Sequence, residues 1–280
     1  MVLAMKITIV CVVLLFSSAY SDKETKCEEV MLHNKPHTNH VLSKGLNRPH
    51  QLAFDKHNQR LFFSHNVRRH DEEAFEIGYI EKDKMIPTIV QSVKNGYAIA
   101  MDNKDAIVYY GGSNGIYKQH LKEENDTVHE VVKVYNVWNM FFKNALYFIK
   151  YSLQQLYKLD EKNKTAEHQK YIHEKIYHFA IDGHNDMFIT TDTGLFMIKN
   201  GTQERIAFTG PKNFLAIAIN NEGVAYFGHN DGIYTANKSD HTLNIVANIK
   251  HVFGITFDSD DHIIYSDYHK IVKLLPGKCK

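Results

Sequence analysis

Proline is sparse in this chain, five in 280 residues; cysteine is sparser at three, and tryptophan occurs once. So little proline, in a composition 44% hydrophobic and 23% charged, excludes a disordered or collagen-like chain. Neither sign of charge is in excess, because 33 Lys and Arg face 32 Asp and Glu. A general affinity for nucleic acid or a membrane surface is therefore not expected. Beyond the N-terminal stretch no apolar run is long enough to cross a bilayer. Catalytic motifs are missing too: there is no Gly-rich phosphate loop and no Gly-x-Ser-x-Gly nucleophile elbow. Eighteen histidines form no His-x-x-x-His pair on a helix and no Cys/His cluster, so neither a metal nor a cofactor is implied.

The N-terminus does carry a signal. Lys6, the apolar stretch Ile7 to Phe16, then Ser17, Ser18 and Ala19 follow the charged, apolar, small-residue order of a secretory signal peptide. Residues 1–19 read as a leader cleaved after Ala19 or Ser21, and cleavage at Ala19 leaves 261 residues. The mature chain is expected to be secreted, extracellular and monomeric. Its two cysteines, Cys27 and Cys279, stand at opposite ends. In an oxidising compartment such a pair is most simply one disulfide; free thiols are the other reading, and a metal site would need more ligands. Asn125, Asn163, Asn200 and Asn237 each open an N-x-Ser/Thr glycosylation triplet, and they follow one another by 38, 37 and 37 residues.

That spacing exposes a repeat. Six segments share an apolar first run, a turn, a second run ending in aromatics, a short loop and a third run. The first runs are His50–Asp55, Tyr97–Asp102, Trp138–Lys143, Tyr177–Asp182, Leu215–Asn220 and Phe253–Asp258, and Asp55 to Asp258 spans five intervals of about 41 residues. Fourth runs follow in the first five segments: Thr88–Val93, Val128–Val134, His168–Ile172, Gln203–Phe208 and Leu243–Ile249. Short apolar or alternating runs between Asn, Asp and Gly are strands joined by turns. The expected fold is all-β: a six-bladed β-propeller with four strands per blade, occupying residues 27–280 as one domain. A sandwich would not repeat so regularly, and an open solenoid would need caps. After Lys273 too few residues remain for a fourth strand, whereas Asn39–Gly45 resembles one. The N-terminal strand then completes the last blade and closes the ring, bringing Cys27 near Cys279.

The mature chain from Cys27 through Asn47-Arg-Pro-His-Gln-Leu-Ala-Phe-Asp55 and Leu61-Phe-Phe-Ser-His65 to Cys279 resembles the insect ommochrome-binding proteins of haemolymph. The resemblance implies a secreted carrier for ommochromes, tryptophan-derived phenoxazinone pigments. It carries no residue-level ligand map.

Candidate ligand residues therefore come from propeller geometry. First strands are innermost, so their opening residues and the second-to-third loops rim one mouth of the axial channel. The openings are His50, Tyr97, Trp138, Tyr177, Phe214 beside Leu215, and Phe253; the loops add His65, His229 and Tyr268. Flat rings with a few imidazoles suit a planar, partly charged molecule. Bulky residues that simply plug the inner strands are the competing reading. All four triplets fall between third and fourth strands, so glycans are expected at the opposite end from that mouth. Two alternatives are carried: a calcium-dependent lactonase or esterase, whose ion would sit on Glu, Asn and Asp of the inner strands, and a protein-interaction propeller. The charged segment Arg68–Glu73 lengthens one second-to-third loop and is expected to be a solvated loop.

Overall fold

A computed structural model describes residues 27–69, 72–123 and 127–279. The leader expected at residues 1–19 and the triplet at Asn125 lie outside these. The described chain is all β-strand, turn and loop, without a helix.

Strands β1 (Glu29–Leu32) and β2 (Lys35–Lys44) form an N-terminal hairpin. Four four-stranded antiparallel sheets follow. The first holds β3 (His50–Asp55), β4 (Arg60–Arg69), β5 (Glu72–Ile80) and β6 (Thr88–Ile89); the second β7 (Ala98–Asp102), β8 (Ile107–Gly111), β9 (Ile116–His120) and β10 (His129–Val132). The third holds β11 (Val137–Phe142), β12 (Leu146–Lys150), β13 (Gln155–Asp160) and β14 (Thr165–His168). The fourth holds β15 (His178–Ile181), β16 (Met187–Thr191), β17 (Gly194–Ile198) and β18 (Arg205–Ala207). The remaining strands, β19 (Ala216–Ile219), β20 (Ala225–Gly228), β21 (Ile233–Asn237), β22 (Thr242–Ala247), β23 (Gly254–Phe257), β24 (Ile263–Ser266) and β25 (Lys270–Pro276), join the N-terminal hairpin in one nine-stranded sheet.

Within that large sheet the order is β19-β20-β21-β22-β1-β2-β25-β24-β23. Only the single pairing Leu32 with Ala247 ties β1 to β22, whereas β2 pairs with β25 along seven positions from His37 with Pro276 to Lys44 with Lys270. The N-terminal strand thus lies on the C-terminal one, and Cys27 and Cys279 form a disulfide across a sequence separation of 252 residues. The extra strand β1 was not expected from the sequence. The segment read as a charged loop is also different: β4 and β5 continue into it, with Arg68 paired to Glu73. Its described residues Arg68, Arg69, Glu72 and Glu73 are strand rather than loop.

The first strand of each repeat packs against the next in a closed circuit, β3 on β7, β7 on β11, β11 on β15, β15 on β19, β19 on β23 and β23 back on β3. The core fills the wedges between neighbouring sheets in six clusters. Its largest fully buried side chains, Phe62, Phe63, Tyr110, Phe148, Phe188 and Phe227, all belong to second strands. Each buried Phe contributes roughly 1.5–3 kcal/mol of transfer free energy, so these aromatic endings hold adjacent sheets together.

The recurrent Asp at the first-strand end also has a local cause. Asp55 Oδ1 accepts from the backbone N–H of His57 at 2.9 Å, Asp102 Oδ1 from Lys104 at 3.0 Å, Asp182 Oδ1 from His184 at 2.9 Å and Asp258 Oδ1 from Asp260 at 2.9 Å. A short carboxylate side chain closes the turn that reverses the chain into the second strand.

Candidate functional site: an axial channel

Four of the expected mouth residues meet in one arc. The His50 imidazole lies 5.4 Å from the Tyr97 ring and 5.4 Å, edge-on, from Phe253, while Tyr97 stacks on the Trp138 indole with centroids 4.3 Å apart and planes 12° apart. Phe75 closes edge-on against Tyr97 at 4.6 Å. The arc continues outward on both sides: Trp138 meets Tyr151, which is 59% exposed, at 5.1 Å, and Phe253 meets Tyr268 at 4.8 Å. The strand-start mouth is therefore filled by interlocked rings, with Tyr97 buried and Trp138 half-buried.

Burial sets the charge state of this arc. It lowers the His50 pKa to about 4 against the opposing hydrogen bond from His50 Nε2 to Asn66 Oδ1 (3.1 Å), with Arg48 lowering it further. Burial also raises the Tyr97 phenol, opposed by its bond with Gln51. At neutral pH both groups are uncharged, and the arc is an apolar, π-rich surface.

The other expected residues are placed differently. Tyr177 stands at its strand start, 37% exposed. Phe214 does not line the mouth: at 3% exposure it packs between sheets against Phe227 (5.7 Å), His229 (5.6 Å) and Tyr234 (6.1 Å). His229 belongs to that same cluster and pairs through Nδ1 with Asp231 Oδ1 at 2.5 Å. His65 faces Phe63 at 5.6 Å, and burial lowers its pKa against the charge of Glu76.

Under the arc lies a cavity of about 190 Å³ on the axis. It is bounded at the strand starts by Gln51, Asn139, His178 and Phe253, in the middle by Leu52, Ile99, Met140, Phe179, Ile217 and Ile255, and at the far end by the exposed Lys56, Asn103 and Asn221. Sequence reasoning put the open mouth at the strand starts; in the structure the rings fill that end and the cavity reaches the surface at the other. There Lys56 Nζ donates to Asn221 Oδ1, and the Lys56 N–H donates to Asn103 Oδ1 at 2.9 Å, so the rim is partly clasped. The three described triplets share this end, because each stands at or just past the end of a third strand and the Asn200 N–H donates to Asp186 Oδ1 at 2.8 Å in a first-to-second turn. Glycans at Asn163, Asn200 and Asn237 would thus flank the open end rather than the ring-filled one.

The inner strands contribute a polar layer that the sequence reading did not single out: Gln51, Asn139 and His178. Each directly follows an arc or mouth residue, His50, Trp138 and Tyr177. That position was the available signal, a polar residue in three of six runs where Ala98, Ala216 and Gly254 occupy the others. Asn139 Nδ2 donates to Gln51 Oε1 at 3.2 Å. His178 is buried, its pKa lowered to about 4 by burial and then by His50. All three are neutral, and no carboxylate lines the cavity among the described residues. A hard divalent cation is bound mainly by oxygens that include carboxylates, so this donor set does not suit one. The acidic cluster Asp258, Asp260 and His262 sits at a turn, and Asp258 is already engaged by Lys273 Nζ and the His262 N–H.

The resemblance seen in the sequence is borne out. The chain is 28% identical over 257 residues to the ommochrome-binding protein of Manduca sexta, covering 89% of this chain and 92% of that protein. No protein-family model matches the chain. Among solved structures it is similar to a gluconolactonase of Xanthomonas campestris, with a TM-score of 0.69, 11% identity, and coverage of 90% of this chain and 96% of that one. It is also similar to the WD40 β-propeller domain of Doa1, with a TM-score of 0.57, 11% identity, and coverage of 89% and 97%. At such low identity these two likenesses show a propeller fold alone.

Proposed function

We propose that this chain is a secreted carrier that holds a planar aromatic pigment of the ommochrome type on the axis of a six-bladed β-propeller. In this reading the nine-stranded sheet is two four-stranded blades bridged by β1, and residues 27–280 form one monomeric domain after removal of the leader. Asn125, Asn163, Asn200 and Asn237 carry the glycans of an extracellular, haemolymph-type protein.

The observation that carries the ligand class is the ring arc Phe253, His50, Tyr97 and Trp138, with its Tyr97–Trp138 stack at 4.3 Å. Stacking surfaces of this kind favour flat, delocalised ligands over globular ones. A cavity of about 190 Å³ is smaller than the roughly 300 Å³ at which ligand pockets begin, so a tricyclic pigment must part the arc and take the place of a ring. Tyr177, His65, His229 and Tyr268 then act around the site rather than within it. The ~28% relative named for ommochrome binding supports the pigment over the lactonase alternative, and the neutral polar layer supports it again.

Titration of the purified protein with an ommochrome tests this directly. The expected result is a shifted visible band together with quenching of the sole tryptophan, Trp138. An unchanged spectrum and unchanged emission at saturating pigment would reject the carrier reading, and calcium-dependent lactone hydrolysis would replace it with the enzyme.

A further inference from the structure

Two buried polar atoms in the channel lack hydrogen-bond partners. Asn139 Oδ1 and His178 Nδ1 are both out of solvent and unpaired, on residues each 7% exposed, and both residues line the axial cavity. An unmade bond on a buried polar atom costs roughly 1–3 kcal/mol, and folded proteins leave few of them. Apolar side chains would fill these positions at no such cost, as Ala98 and Ala216 do at the matching positions.

The backbone is bent to put two of these groups on the axis. Of the six first-to-second strand pairings, only β3 with β4 and β11 with β12 break register, between His50 and Ala53 and between Val137 and Asn139. Those are the strands that supply Gln51 and Asn139. Gln51 has a φ of +43°, a left-handed conformation that a non-glycine residue adopts against strain. Bulges re-aim side chains, and they gather beside binding sites.

We propose that Gln51, Asn139 and His178 form a neutral polar floor that hydrogen-bonds the uncharged donor–acceptor edge of a planar ligand, such as an amino group beside a ring carbonyl. This deepens the carrier reading and rests on it. Asn139 Nδ2 is committed to Gln51, so Asn139 Oδ1 is left as an acceptor and the ligand must present an N–H or O–H to it. The neutral His178 imidazole offers one donor and one acceptor nitrogen, so it matches either half of such an edge. No charged group stands in this layer to offset an ionised ligand group; the cation lining the cavity, Lys56, is at the far rim and engaged with Asn221. Anionic ends of the ligand therefore point away from the floor.

The test compares an aminophenoxazinone with the parent phenoxazinone lacking the amino group, on wild-type protein and on Asn139→Leu and His178→Phe, by Trp138 fluorescence. One hydrogen bond to a buried acceptor corresponds to about a tenfold preference. Wild type is expected to bind the amino compound about tenfold more tightly, and Asn139→Leu to lose that preference while keeping its affinity for the parent. A preference that survives both substitutions, or equal weakening towards both probes, overturns the floor while leaving the carrier intact. A more heat-stable Asn139→Leu with unaltered binding also overturns it, since the polar atom then serves only water. Failure of wild type to bind either probe rejects floor and carrier together.

Discussion

Trp138 lies face to face with Tyr97, 4.3 Å between centroids and 12° between planes, and it does so as the extra residue of a break in strand register. The stack joins the neighbouring second and third sheets. Its outer side leans on Tyr151, so the half-buried indole is held between two rings.

Replacing Trp138 by Ala is expected to weaken pigment binding about tenfold, because a stacked aromatic pair is worth roughly 0.5–1.5 kcal/mol beyond its buried area. Absorbance titration measures this, since the fluorophore is lost with the residue. Affinity equal to wild type would remove Trp138 from the site.

Exchanging Cys279 for Ser opens a loop of 252 residues. The chain-entropy model puts the stabilisation lost at about 5 kcal/mol. Urea denaturation should move to a clearly lower midpoint, and the reducing agent that lowers the wild-type midpoint should leave the variant unchanged.

Acid should destabilise the fold through two buried histidines. His50 and His178 have pKa values lowered from 6.5 to about 4, so between those values the unfolded chain binds protons that the folded chain refuses. Their contribution to stability is fully present above pH ~6.5 and declines as pH falls towards ~4, by on the order of 3 kcal/mol for each. Melting temperatures measured from pH 7.5 down to 4.5 should fall less steeply for His178→Phe than for wild type.

Asn163→Gln is expected to remove one glycan, seen as a loss of mass, without altering pigment affinity. Asn163 is exposed on an outer turn, where its Nδ2 donates to Asp160 Oδ2 at 2.7 Å. A changed affinity would mean that the sugar reaches the channel rim.

The sequence displayed the repeat because its physical causes are local. Asp55, Asp102, Asp182 and Asp258 each cap a turn two residues on, and Phe62, Tyr110, Phe148, Phe188 and Phe227 each fill a wedge one strand later. Where Lys143 stands in place of the capping acid, its Nζ instead donates to the Asp182 carbonyl of the next sheet, and where Asn220 stands its Oδ1 accepts from the Val224 N–H, so two units depart from the acid without departing from the fold. The candidate site was half legible. His50, Tyr97, Trp138 and Phe253 do meet, as strand-start positions should. The open end was misassigned, because whether rings line a mouth or fill it depends on their tilt across blades. Gln51 and Asn139 escaped notice because strict alternation along a strand does not describe a strand that slips register at those residues.

The pairing of β2 with β25 sets a timetable for synthesis. Strand β2 is made among the first residues and must wait for a partner made among the last, Lys270–Pro276. Until the ribosome releases that segment, the edges of β2 and β24 stay exposed and the Leu52, Phe63 and Ile264 cluster lacks Ile271, which β25 brings to it. A chain truncated before Lys270 is therefore a nascent protein arrested with two free edges, a substrate for chaperones and a seed for aggregation.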